Sequence, residues 1–383
     1  ADHRASLKAR IDAVHSYSQR LRCVLRSLSL SCENHDESIQ YHDRSPQIIR
    51  WVHSQQPILL SGQTRTGVVQ LSSLDVYHQF VQPIADKTIS SSIQSLEWFG
   101  NDRIAIGSGA ENCCDIVDVE KNMVPIKSYK SDLNAVFDGV SSIGQIGGRG
   151  DDDAHPHLIL IGSRLGRVRL YDIRQSHNRP MNQITPFVSQ RPRDPHDYSL
   201  VNPDLAVQSI LGYSNGAMIA VVHRNGAIRL WDMRSTMNAI KSLALSDHLP
   251  PATPIEVDSA IGSGDDRNMM IQLNPSQIVQ FDLFMQQGQI VTNCVNTRSP
   301  DRLYPSTFLR RSLVFINGDR VAVRDLHPSS ATACRCSIDS TPVTAVSGHD
   351  VHPVIACTTQ GSSHIHILSA DGTRPTPSHV VPS

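Results

Sequence analysis

Short runs in which apolar and polar positions alternate recur along the chain, and most of them close on an Asp. Two are nearly the same: residues 166–174 (GRVRLYDIR) and residues 226–234 (GAIRLWDMR). A period of two puts successive side chains on opposite faces of an extended backbone, so each run predicts a β-strand. Weaker copies occupy residues 67–75, 113–118, 277–282, 320–325 and 363–368. The first six runs end on Asp75, Asp118, Asp172, Asp232, Asp282 and Asp325, at intervals of 43, 54, 60, 50 and 43 residues. Before each lies a second apolar run, among them residues 57–60, 102–106, 157–161, 217–222, 312–316 and 353–357. Such a run pairs with its successor as an antiparallel hairpin, and Asn225-Gly226 and Asn317-Gly318 supply turns that tolerate positive φ. The fifth pair is the least regular, because residues 268–273 run into Pro275.

A unit that returns at a fixed interval cannot bury both faces alone and must stack on copies of itself. The interval here fits the period of roughly 40 to 45 residues of a β-propeller, stretched by loops in the middle. The aromatic-Asp-x-Arg endings at Tyr171, Asp172, Arg174 and at Trp231, Asp232, Arg234 resemble the third strand of a WD-repeat blade. The resemblance implies an all-β, seven-bladed WD-repeat-like β-propeller. Full WD repeats tie each blade together through a Gly-His pair, an Asp in the inner turn and the closing Trp-Asp. Here Trp closes one blade only, at Trp231; the sole Gly-His, Gly348-His349, follows its strand; and Thr66, Leu165 and Asn225 stand where the inner-turn Asp belongs. Stacking of sheets is therefore expected to carry the stability.

The first 26 residues have a different rhythm. Leu7, Ile11, Val14, Leu21, Leu25 and Leu28 recur at steps of three and four, the stripe of an amphipathic helix, with a basic opposite face. Packing on the propeller, docking on a partner, lying on anionic lipid or serving as a residual targeting sequence are all open to such a stripe. Residues 27–33 return to alternation and are expected to close the last blade of a propeller spanning 27–370, which removes a free sheet edge. The tail 371–383, with Pro375, Pro377 and Pro382, is a poor strand.

Composition narrows the function. The 383 residues carry a net charge of -1, so no global field favours direct nucleic-acid binding. No run of about 18 apolar residues is present to span a membrane. Eight scattered cysteines read as buried thiols of an intracellular protein, nuclear or cytoplasmic, rather than a disulfide framework. Cys334 and Cys336 with His327 and His349 match no zinc-ligand spacing, and the three consecutive Asp at 151–153 with His155 and His157, able to bind a cation, are of a kind usually just solvated, so no metal and no cofactor is expected. No nucleophilic triad, phosphate-binding glycine loop or zinc signature suggests an enzyme. Residues 308–312 (FLRRS) match the paired-arginine clamp of phosphoinositide-binding propellers poorly. Arg65, Arg164, His223 and Arg224, on turns at one channel mouth, could attract an acidic or phosphorylated peptide.

The paired arginines carry the sharper expectation. Aromatic-Asp-x-Arg in two successive blades, after an N-terminal helix, resembles the substrate receptors of cullin-4 ubiquitin ligases, which dock on the damaged-DNA-binding protein 1 adaptor. The resemblance implies docking through Tyr171, Asp172, Arg174, Trp231, Asp232 and Arg234, together with Leu21, Leu25 and Leu28 of the helix stripe. The alternative is a scaffold subunit of another assembly, such as an RNA-processing, ribosome-related, nuclear pore or trafficking complex. Both readings make the chain a non-catalytic protein-interaction adaptor.

Overall fold

The computed structural model describes residues 27–31 and the strands and tight turns between 48 and 369. Residues 1–26, 32–47, 131–137, 147–156, 185–204, 294–305, 326–332 and 370–383, with several shorter turns, lie outside the described residues. The helix expected over residues 1–26, with Leu21 and Leu25, falls there, and so do Arg65 and the tail. Among the described residues there is no α-helix.

The described strands form seven four-stranded antiparallel sheets. Six are each made of four consecutive strands. Sheet 1 comprises Ile48–Trp51, Ile58–Gly62, Val68–Asp75 and Phe80–Thr88; sheet 2, Ile93–Phe99, Arg103–Ser108, Cys113–Asp118 and Val124–Lys130. Sheet 3 comprises Val140–Gln145, Leu158–Ser163, Val168–Asp172 and Asn182–Ile184; sheet 4, Val207–Gly212, Met218–His223, Ala227–Asp232 and Lys241–Ala244. Sheet 5 comprises Val257–Gly262, Asn268–Leu273, Gln277–Asp282 and Gln287–Asn293; sheet 6, Ser306–Leu309, Ser312–Asn317, Arg320–Asp325 and Ala333–Ser337. Sheet 7 is composite: Val343–Gly348, Val354–Thr359 and His364–Ser369 take Ser27–Ser31 as their outer strand, with Ser27 opposite Leu368 and Ser31 opposite His364. Leu28, grouped by the sequence with the helical stripe, thus sits in a strand opposite Ile367.

First strands of successive sheets lie against one another from sheet 1 to sheet 7, and that of sheet 7 returns to sheet 1. The fold is an all-β propeller. Where the circle meets, the Trp51 indole N–H donates to the Ser347 carbonyl at 2.9 Å and its ring meets His349 edge-on at 5.3 Å. Second strands are buried on both faces because each is sandwiched between neighbouring sheets, as in Leu158–Ser163 and Met218–His223. Outer strands such as Val124–Lys130 leave all but one residue exposed or half-buried.

Two devices set the spacing between sheets. In five first strands one polar residue is bulged out of register: Gln94, Ser141, Gln208, Asp258 and Thr344. Each follows Val or Ile and precedes Ser or Ala, and the bulge bends the strand locally. The Ser141 hydroxyl uses its displacement to donate across to the Val207 carbonyl of the next sheet at 2.7 Å. The second device is Gly62, Gly107 and Gly162 near the ends of second strands, each facing a first-strand side chain of the next sheet. A Cβ at Gly107 would lie 2.6 Å from Val140, and one at Gly162 would lie 2.7 Å from Val207.

Local hydrogen bonds knit the entry of several sheets to the strands that follow. In sheet 2, Ser91 meets Ser108 at 2.6 Å. In sheet 3, buried Asp138 accepts from the Leu165 N–H at 3.2 Å and from the Arg169 guanidinium at 3.3 Å. In sheet 4, His223 Nδ1 donates to the Leu205 carbonyl at 2.8 Å. Each ties the segment entering a sheet to its second-to-third-strand hairpin.

Candidate interaction rim

Consecutive antiparallel strands put the turn between strands two and three at one end of the propeller and the turn between strands three and four at the other. Of the cationic residues expected at the first end, Arg65 lies outside the described residues, and Arg164, His223 and Arg224 differ in their surroundings. His223 is buried at 1% exposure inside sheet 4. Arg224 is neutralised by Glu256, a carboxylate that the sequence did not place there. The reason is a backbone crossing, since the Val257 N–H donates to the Arg224 carbonyl at 2.7 Å and brings the preceding Glu256 alongside. Arg164 is exposed, with its guanidinium over Gly109.

The opposite end is more organised. In sheets 2 to 5 the Asp that closes the third strand turns its carboxylate onto the backbone of the following turn, an Asx-type cap. Asp118 Oδ1 accepts from the Lys121 N–H at 3.1 Å, Asp172 from Arg174 at 2.9 Å and Asp232 from Arg234 at 2.9 Å. Asp282 accepts from Phe284 and Met285, both at 2.9 Å. This local task explains why Asp recurs at these positions.

Arg174 and Arg234 then fold back as bidentate forks on the same carboxylates. In sheet 3, Arg174 Nε and Nη2 lie 3.0 and 2.7 Å from Asp172 Oδ1 and Oδ2; in sheet 4, Arg234 repeats this at 2.9 and 2.7 Å. The carboxylates are turned inward and the guanidiniums outward, with Arg174 at 65% and Arg234 at 77% side-chain exposure. Tyr171 and Trp231 are buried, and Tyr171 stacks on Tyr129 of sheet 2 at 4.3 Å. The aromatic position of the motif therefore joins sheets, while the arginine meets solvent.

Hydrogen bonds from Arg174 and Arg234 lower the carboxyls of Asp172 and Asp232 to about 2. Because the folded value lies below the unfolded one near 3.9, the pairs' contribution is intact above about pH 4 and is lost as pH falls through about 2. Carboxyl titration by NMR should give midpoints near 2 for both, and Arg174→Ala should return Asp172 toward 4 while leaving Asp232 unchanged. An unmoved Asp172 midpoint would refute the assignment.

A further pattern escaped the sequence. A lysine on the outer strand of one sheet reaches a turn carbonyl of the next: Lys87 Nζ to Met123 at 2.9 Å, Lys127 Nζ to Gln175 at 2.7 Å and Lys241 Nζ to Leu283 at 3.4 Å. These clips join sheets 1 to 2, 2 to 3 and 4 to 5 at this rim. Their only sequence signal is a Lys in each poorly patterned fourth strand, and their acceptors are backbone atoms of another repeat.

Cys113, Cys114 and Cys357 are buried, and burial pushes the Cys114 thiol well up. No group of three metal-ligating side chains occurs among the described residues, and no helix there is long and apolar enough to cross a membrane. Compared with known proteins, the chain matches no protein-family model and no curated protein.

Proposed function

We propose that this chain is a non-catalytic interaction platform, a seven-bladed WD-repeat-like propeller whose composite sheet 7 is its closing blade. It docks on a partner through the rim where third strands end. The observation that carries the reading is the duplicated fork, in which two successive sheets hold an exposed Arg on the Asp two residues before it. A guanidinium already fixed by one carboxylate loses less conformational freedom on binding a second acceptor, and its planar donors suit carboxylates and carbonyls. Taken with the WD-like motif, this supports a substrate receptor of a cullin-4 ubiquitin ligase docked on the damaged-DNA-binding protein 1 adaptor. The opposite end is then left for substrate.

Arg174→Ala with Arg234→Ala in the full chain should weaken binding of the purified adaptor at least tenfold, with a thermal midpoint within about 2 °C of wild type because both side chains are exposed. Wild-type affinity in the double variant would sink the adaptor reading. One feature favours the alternative, a scaffold subunit of another assembly: each fork satisfies its own Asp, as an arginine that only finishes a turn would do. In that case affinity purification of the full chain returns other stable subunits and no ubiquitin machinery.

A further inference from the structure

The same rim carries an apolar component that the arginine motif does not account for. Of the six exposed large apolar side chains among the described residues, five lie at third-to-fourth-strand turns of sheets 2 to 5: Val124, Met181, Ile240, Phe284 and Met285. Dispersed exposed apolar residues need no explanation, but concentration on one rim of adjacent sheets does. Among the described residues, three of the four non-Gly residues with positive φ are there as well, Asn122 at 56°, Met123 at 61° and Gln286 at 55°. Such conformations cost energy and persist where the surroundings impose a particular turn.

Sheet 5 breaks the pattern of its neighbours. Two residues beyond Asp282, where sheets 3 and 4 have Arg174 and Arg234, stands Phe284, 70% exposed, followed by Met285 at 59%. Asp282 obtains its cation from the other side, Arg267 Nε at 2.7 Å from Oδ2, on the turn between the first and second strands. The carboxylate's charge is thus paired without an arginine from its own turn, and the position two residues after it is released to present an aromatic ring. Lys241, next to exposed Ile240, is clipped to the carbonyl of Leu283, which precedes Phe284. Ile240 and Phe284 are thereby held on neighbouring elements.

We propose that Phe284 and Met285 are the apolar anchor of the docking surface, inserted into an apolar pocket of a protein partner whose rim carries carboxylates facing Arg174 and Arg234. The charge layout argues for this occupant. In sheets 3 and 4 the cations are the outer layer, with the carboxylates that hold them turned inward, so a surface approaching there meets positive charge beside apolar knobs. An exposed aromatic entering a dry pocket supplies affinity, and surrounding charge pairs supply orientation. This inference rests on the adaptor reading above and adds the residues expected to dominate its affinity.

The test uses the full chain and purified damaged-DNA-binding protein 1 in calorimetric titrations, comparing wild type, Phe284→Ser with Met285→Ser, and the Arg174→Ala, Arg234→Ala variant. The anchor variant should bind at least tenfold more weakly, with a less negative heat-capacity change than wild type and an unchanged melting temperature. In contrast, the arginine variant should keep most of the heat-capacity change and lose salt dependence. Wild-type affinity in the anchor variant, with the arginine variant impaired, overturns the anchor and leaves the adaptor reading standing. No binding by wild type overturns both. A wild-type dimer in sedimentation that the anchor variant converts to monomer identifies the occupant as a second copy and also overturns the proposal.

Discussion

Gly162→Val is expected to lower the thermal midpoint by roughly 4 °C, the cost of about 3 kcal/mol of overpacking in a domain of this size. Gly162 lies on the second strand of sheet 3, where even a Cβ would come within 2.7 Å of Val207 Cγ1, 2.9 Å of Val207 Cβ and 3.2 Å of Ile210 Cδ1. Val207 is itself fully buried in the first strand of sheet 4, so it has no solvent to retreat into. Relief requires moving one sheet against the next, and the clips and interlocked bulges on either side oppose that. Gly262→Ala provides the contrast, since nothing lies within 4 Å of the added Cβ; it should change stability by no more than about 0.5 kcal/mol. The milder Gly162→Ala should be partly rescued by Val207→Ala, because the two sites are in contact and their effects are not additive. Equal melting temperatures for Gly162→Val and wild type would refute the close approach.

That contact marks the boundary of what the chain discloses by itself. The second and third strands were legible, from Leu158–Ser163 and Val168–Asp172 through Val354–Thr359 and His364–Ser369, because sandwiching between sheets demands apolar runs and the hairpin between them demands Gly or Asn. Gly166 and Gly226 do adopt φ of 81° and 82°. First strands were not legible, because a bulge interrupts their alternation, at Gln94 between Ile93 and Ser95 and at Ser141 between Val140 and Ser142. Fourth strands such as Asn182–Ile184 were obscure for the opposite reason, as the outer edge is solvated and imposes little pattern.

The site divides along the same line. Asp172 with Arg174 and Asp232 with Arg234 were found because their interaction is local, spanning two residues. Phe284 was not singled out, because its significance depends on Asp282 being served by Arg267 from another turn. Glu256 beside Arg224 and Asp138 beside Arg169 likewise join segments 32 and 31 residues apart, a separation that no local pattern encodes.

Lowering the pH from 7.5 to 4 should remove roughly 3 kcal/mol of stability through His223 alone. This ring is buried at 1% exposure, and burial holds its pKa down to about 4. Its Nδ1–H is used on the Leu205 carbonyl, while Nε2 is buried without a partner, so a second proton would sit in a dry site with no acceptor and with Arg229 nearby. The unfolded chain takes up that proton near pH 6.5, the folded one only near 4. Between those values the unfolded state binds more protons, and stability therefore falls as pH falls, by about 1.4 kcal/mol per unit, with the full contribution present above pH 6.5. Denaturant unfolding at pH 7.5, 6, 5 and 4 should show this slope in wild type. His223→Gln, less stable at pH 7.5 for loss of its fitted hydrogen bond, should lack the same increment of slope, so the two stability curves converge toward pH 4. Parallel curves across that window would show that His223 takes up its proton without unfolding the sheet, and would contradict the buried, half-satisfied ring.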